Sequence, residues 1–177
     1  MSLYMNLRKD IAVSDVFTLL NASFGMLSIF YAIRGEYFSA VVFMITAVIF
    51  DYLDGKIARK LNKTHEFGKE LDSLADIISF GAAPAVFGYV YAGQALQGMW
   101  ETVLAVSCII LVVCGALRLA RFNITKAKGV YQGMPITLNG IIFPILYFAM
   151  LPAEYYFIVF LCSAGLMISP FRIKKIL

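Results

Sequence analysis

The sequence predicts an all-α integral membrane protein, a six-transmembrane-helix bundle with both termini cytoplasmic. Three observations carry that expectation. Hydrophobic residues make up 61% of the 177 positions and charged residues 15%, with a mean hydropathy of +0.81. A soluble domain of that length cannot hide so much apolar surface, so lipid must be part of the solvent. The apolar residues gather into six runs, each near the ~20 residues that a helix needs to cross the hydrocarbon core. The basic residues, finally, fall almost entirely on one side of those runs.

The first run, Val16–Ile33, follows the polar stretch "MSLYMNLRKDIAVSD", which has no signal-peptide layout. Residues 1–15 read as a juxtamembrane N-terminus. Leu3, Met5 and Leu7 suit a short interfacial helix there, and a frayed terminus is the alternative. The second run, Tyr37–Ile57, comes after a short connection carrying Arg34 and Glu36. A lysine-rich connection leads to the third, Leu71–Ala92. The fourth, Glu101–Leu119, ends in arginines, and Pro135–Leu151 and Glu154–Ser169 supply the last two. Helices are required, because an open strand edge in lipid leaves backbone groups unpaired. With spans so placed, fourteen of the fifteen lysines and arginines share one side and only Arg34 lies opposite. That bias puts the basic side in the cytoplasm. Residues 1–177 then form a single membrane domain. A sequence pI near 9.0 points to anionic lipid surfaces and away from nucleic acid. Cys108, Cys114 and Cys162 all sit in apolar runs with no metal or redox spacing, and read as small packing residues.

The stretch "FDYLDGKIARKLNKTHEFGKELDSLAD" breaks the apolar pattern with four aspartates. Asp51 and Asp54 are three apart and share a face at the cytoplasmic end of the second span. Asp72 and Asp76 are four apart and share a face at the start of the third. The connection between those spans predicts an antiparallel pair in which all four carboxylates converge. Ordinary pairing with nearby lysines is the alternative. It leaves the phasing and the small neighbours Gly55 and Ala58 unexplained. Four carboxylates at a lipid boundary repel one another, and a hard divalent cation is the natural counter-charge for an all-oxygen donor set. The lone His65 offers no zinc or copper spacing, and "DYLDG" lacks the alternating ligands of a calcium-sensor loop. Gly55 and Gly68 leave room for a phosphate, and Arg59 adds a planar fork that grips phosphate oxygens. Together they suggest a cradle for a lipid diphosphate.

Written with spacings, the stretch is D-x2-D-G-x2-A-R-x8-G-x3-D-x3-D, through Asp51, Asp54, Gly55, Ala58, Arg59, Gly68, Asp72 and Asp76. It resembles the signature of the CDP-alcohol phosphatidyltransferase family without a departure. "TLLNASFG", "ELDSLADIISFGAAPA", "RLARFN" and "YQGMP" resemble the phosphatidylserine synthase branch. The resemblance covers most of the chain up to about Pro135. It implies six helices around a cytoplasmic metal site in the cell membrane, and a homodimer. It implies two divalent cations, Mg2+ or Mn2+, on Asp51, Asp54, Asp72 and Asp76, with Ca2+ as a binder that supports no turnover. Asp76 matches the residue proposed as general base, and Gly55, Ala58, Arg59 and Gly68 match the nucleotide and diphosphate pocket. The implied reaction moves a phosphatidyl group from CDP-diacylglycerol, or an ether-lipid equivalent, to the hydroxyl of L-serine and releases CMP.

The acceptor carboxylate calls for a guanidinium, and Arg118 and Arg121 stand three apart on the fourth span. Their alternative is snorkelling to anionic head groups. Ser79, three residues beyond Asp76, is a further candidate for the acceptor pocket. Thr64 and His65 lie where they can meet cytidine or phosphate. Asn21 and Thr18, polar groups of the first span, contact either the ligand or each other. Two rivals stand beside this reading. A sister enzyme would use glycerol phosphate, inositol or inositol phosphate and share all four aspartates. A cation transporter would spread acidic residues through the membrane depth, whereas these gather at one end.

Overall fold

A computed structural model describes residues 13–60, 66–125, 131–170 and 172–173, with backbone alone described at 125, 131, 132, 172 and 173. The expected interfacial helix, Thr64 and His65 lie outside those residues. Among the described residues the regular structure is helical, apart from one two-residue ladder. We number the helices α1 Val13–Ile33, α2 Tyr37–Lys60, α3 Glu66–Gly93, α4 Met99–Thr125, α5 Asn139–Phe148 and α6 Tyr156–Ile168.

The first four are long and apolar enough to cross a membrane. With the 3-10 turn Ile136–Leu138 before it, α5 is shorter than the expected Pro135–Leu151, while α6 with the turn Ala153–Tyr155 covers Ala153–Ile168, the expected length set back by one residue. Proline sets their limits. Pro135 and Pro152 hold extended backbone before each 3-10 turn, and Pro144 interrupts the hydrogen-bond ladder inside α5.

α1 shows how a helix is arranged when lipid is the solvent. Its buried stripe is small or polar, namely Ser14, Asp15, Thr18, Asn21, Gly25, Ser28 and Ala32. Its exposed face carries Val16, Leu19, Met26 and Phe30. No hydrophobic force drives helices together in lipid, so close approach of small residues and internal hydrogen bonds take over. α1 and α2 form an antiparallel hairpin closed at Gly35, whose φ of 77° needs no side chain in the way. Phe17, Phe24, Phe43 and Phe50 pack along its seam.

Sequence spacing predicts that α2 and α3 pair directly; they do meet, but α1 packs against each of them more extensively. α1 packs along both helices and lies against the aspartate-bearing part of α3, while α2 touches α3 chiefly further along. The small stripe of α1 makes this close insertion affordable in space.

α3 is not one regular helix. It is α-helical at Glu66–Asp76 and Ala83–Gly93, and π-helical at Ile77–Ala82, where the N–H of Ala83 reaches back five residues to the Ile78 carbonyl. Pro84 supplies the cause. It lacks the N–H that an α-helix would offer the Phe80 carbonyl, and its ring crowds that same carbonyl. After α4, strand β1 Tyr131–Gln132 pairs antiparallel with β2 Arg172–Ile173, which ties the entry of α5 to the exit of α6. Gly133, with φ of 73°, sits so close to the Met167 carbonyl that no side chain would fit. The core lies at mid-bundle, where Phe80, Phe87, Phe143, Tyr156 and Phe160 are fully buried.

Candidate functional site

The aspartates converge. Asp51 on α2 and Asp72 and Asp76 on α3 each present a carboxylate oxygen, and these oxygens lie within 4.8 Å of one another. Asp51 and Asp76 are within hydrogen-bond reach of each other, and Thr137 meets Asp51 from the 3-10 turn before α5. Two carboxylates that close need a proton or a cation between them. Asp54 stands beside this group, facing the charges of Asp72 and Asp51 with Thr18 and the Gly55 N–H as polar neighbours. It is 5% exposed, and its Oδ2 is buried with no hydrogen-bond partner. A buried carboxylate oxygen without a donor, next to three gathered carboxylates, fits a hard divalent cation. The donor set is all oxygen, as such cations prefer.

Asn21 of α1 reaches the same place. Its Nδ2 lies 3.5 Å from Asp76 Oδ1, and its own Oδ1 is buried without a partner. At the end of α2, the Arg59 guanidinium folds over Gly55, so that a Cβ on Gly55 would come 3.6 Å from Nη1. Arg59 is exposed, while Ala58 and Gly68 are half-buried. Gly55, Ala58 and Arg59 thus lie on the last turns of α2, and Gly68 lies in the first turn of α3.

Residues 11–169 match the family profile described as CDP-alcohol phosphatidyltransferase. The chain belongs to that family. Among its curated relatives is the archaetidylserine synthase of Methanothermobacter thermautotrophicus, 42% identical over 134 residues, which are 74% of this chain and 55% of the relative. The CDP-diacylglycerol–serine O-phosphatidyltransferase of Methanocaldococcus jannaschii is 40% identical over 77% of this chain and 61% of its own length. That of Bacillus subtilis is 37% identical over 76% of this chain and 75% of its own length. The chain thus spans little more than half the length of the first of these. Its four candidate membrane spans suit a multi-pass membrane member of the CDP-alcohol phosphatidyltransferases.

The residues expected to choose the acceptor have different partners. Arg118 is buried, 8% exposed, with its guanidinium 5.3 Å from the centre of the Phe122 ring. On α4, Gly115 packs against Ile77 and Ile136, the neighbours of Asp76 and Thr137. Arg118 lies one turn beyond Gly115. Arg121 points elsewhere. It donates to the Met167 carbonyl at 3.1 Å and the Ile168 carbonyl at 3.2 Å, capping the C-terminus of α6. Ser79 is fully buried, and its hydroxyl donates to the Asn21 backbone carbonyl at 2.9 Å. A Cβ on Gly25 would collide with it. Ser79 is a bolt between α3 and α1.

Four further polar positions escape the sequence reading. Thr137 touches Asp51, and Asn139 donates to the Phe80 carbonyl at 3.1 Å. Asn123 bridges α4 to α3 through Ser73 at 3.0 Å and Glu70 at 3.3 Å. Asp15 is buried on the α1 stripe one turn from Thr18. A signal existed for two of them, since "PITLN" places a threonine and an asparagine at the mouth of an apolar run.

Proposed function

We propose that this protein transfers a phosphatidyl group, or its ether-lipid equivalent, from a CDP-activated lipid to the hydroxyl of L-serine and releases CMP. The observation that carries this reading is the meeting of Asp51, Asp72 and Asp76, with Asp54 beside them, in a member of the family. The names of the relatives, archaetidylserine synthase and CDP-diacylglycerol–serine O-phosphatidyltransferase, support serine as the acceptor.

Two divalent cations, Mg2+ or Mn2+, held by Asp51, Asp54, Asp72 and Asp76, would clamp the diphosphate and offset the charge on the phosphoryl group and on departing CMP. The remaining work falls to the chain. Asp76 takes the proton of the acceptor hydroxyl as the new bond to phosphorus forms, with Asn21 steadying its carboxylate. Gly55, Ala58, Arg59 and Gly68 seat the CDP-lipid, and the sequence reading adds Thr64 to them. Arg118 receives the acceptor carboxylate. A phosphorylated acceptor would call for more cationic contacts, and Arg121 already serves the end of α6. No covalent enzyme intermediate is needed.

The domain sits in the cell membrane as six helices with both termini and the active site at the cytoplasmic face, α5 and α6 crossing with the help of their 3-10 turns. It works as a homodimer. The positive-inside bias supports this orientation. To test the reading, purified protein is mixed with CDP-lipid and Mg2+ or Mn2+, then with serine, glycerol 3-phosphate or inositol phosphate, and CMP release is measured. Release with serine is expected. Release with a phosphorylated acceptor only would overturn it.

A further inference from the structure

The π-helical turn Ile77–Ala82 begins directly after Asp76, and Ser79 and Phe80 at its centre are each hydrogen-bonded from another helix. Phe80 is the carbonyl that Pro84 leaves without an α-helical donor. Asn139, fully buried at the first turn of α5, fills that role, its Nδ2 lying 3.1 Å from the Phe80 oxygen. Next to it, Gly140 is pressed against the Phe80 ring and Val48, where any Cβ would clash. On the opposite side Ser79 is bolted to the Asn21 carbonyl, and Asn21 reaches Asp76. Two residues before Asn139, Thr137 meets Asp51. The short segment from Ile136 to Asn139 thus touches both the carboxylate group and the turn that follows it.

A π turn holds one more residue than an α turn. It therefore rotates the helix before it by about 100° relative to the helix after it. In α3 this offset lets Ala83–Gly93 bury Phe87 and Ala92 in the core while Glu66–Asp76 turns Asp72 and Asp76 toward Asp51. We propose that Asn139 is a positioning residue for the reaction: with Pro84 it holds the π turn, and the turn aims Asp76 into the site. The inference rests on the phosphatidyl-transfer reading for its kinetic consequence, but its structural content stands apart.

Three variants separate aiming from mere support. N139A leaves the Phe80 carbonyl buried without a donor, so melting temperature falls. Turnover falls with it by about 100-fold, the scale of an ångström-size misplacement of a catalytic group. KM for CDP-lipid and acceptor stays within about threefold, because no substrate contact is removed. P84A restores an N–H beneath the Phe80 carbonyl and lets the turn close toward an α-helix. In N139A/P84A the melting temperature therefore recovers, while turnover stays low. Recovery of turnover together with stability would reduce Asn139 to a structural cap and overturn the proposal.

A second measurement does not depend on activity. Spin labels at the exposed positions Leu74 and Ile124, with Cys108, Cys114 and Cys162 replaced by alanine, report the rotation of the first half of α3 against α4. Their separation should shift by about 5 Å in N139A/P84A. An unchanged separation sinks the proposal. If the unaltered protein releases no CMP with any acceptor, the functional reading fails, and the label distances still decide the role of Asn139.

Discussion

The two ends of the bundle are held together by different means. At the aspartate end, Asn21, Ser79, Thr137, Asn139 and Arg121 link helices through hydrogen bonds. Several acceptors there, including Asp54 Oδ2 and Asn21 Oδ1, are buried without a partner. From mid-bundle onward, away from the aspartates, rings do the packing. Phe143 stacks on Phe160 with centroids 4.9 Å apart, and Phe87 stacks on Tyr91 at 5.6 Å. Among the rings the buried atom left over is the neutral hydroxyl of Tyr156, whereas at the aspartates it is a carboxylate oxygen beside other carboxylates, a place built to receive charge. Groups that bind a ligand must forgo some of their own partners, so the stability of such a site has to be supplied elsewhere.

The sharpest way to break that contrast is Asp76→Asn. Turnover should fall about 10³-fold, the scale of a lost general base. Mn2+ should still raise the melting temperature, since Asp51, Asp54 and Asp72 remain. Near-normal CMP release would remove Asp76 from the role of base. The reverse experiment belongs to the aromatic end. Phe160→Ala opens a void beside Phe143 and Gly88. It should lower stability by about 3 kcal/mol in a detergent melt while turnover per folded molecule holds. A large loss of turnover at full folding would show that the ends are coupled.

The smallest effects divide the arginines of α4. Arg118→Gln should raise KM for serine about tenfold with little change in kcat, as uniform binding is removed. Arg121→Gln should leave that KM alone and cost about 1 kcal/mol of stability through the lost α6 cap. Equal effects on KM would mean that both guanidiniums face the acceptor.

The site was legible in the sequence because its chemistry is local. The pairs Asp51 and Asp54, and Asp72 and Asp76, each lie within one helical turn, so spacing alone places both members on one face. The small neighbours Gly55, Ala58 and Gly68 mark the same face. Arg118 and Arg121 obey the same spacing, yet one guanidinium lies by the Phe122 ring and the other caps α6. Three residues on a helix are about 300° of rotation, leaving room for two long side chains to seek different partners.

By itself, the sequence determined the membrane class, the helical content, the four aspartates and the family. These follow from composition and from spacing within single elements. Only the tertiary structure decided that α1 sits between α2 and the first half of α3, that Ser79 serves α1, and that Asn139 answers the carbonyl stranded by Pro84. Those facts depend on contacts between residues far apart in the chain, such as Asn139 and Phe80. In lipid, where no hydrophobic force ranks one helix pairing above another, close packing of small residues and buried hydrogen bonds make the choice.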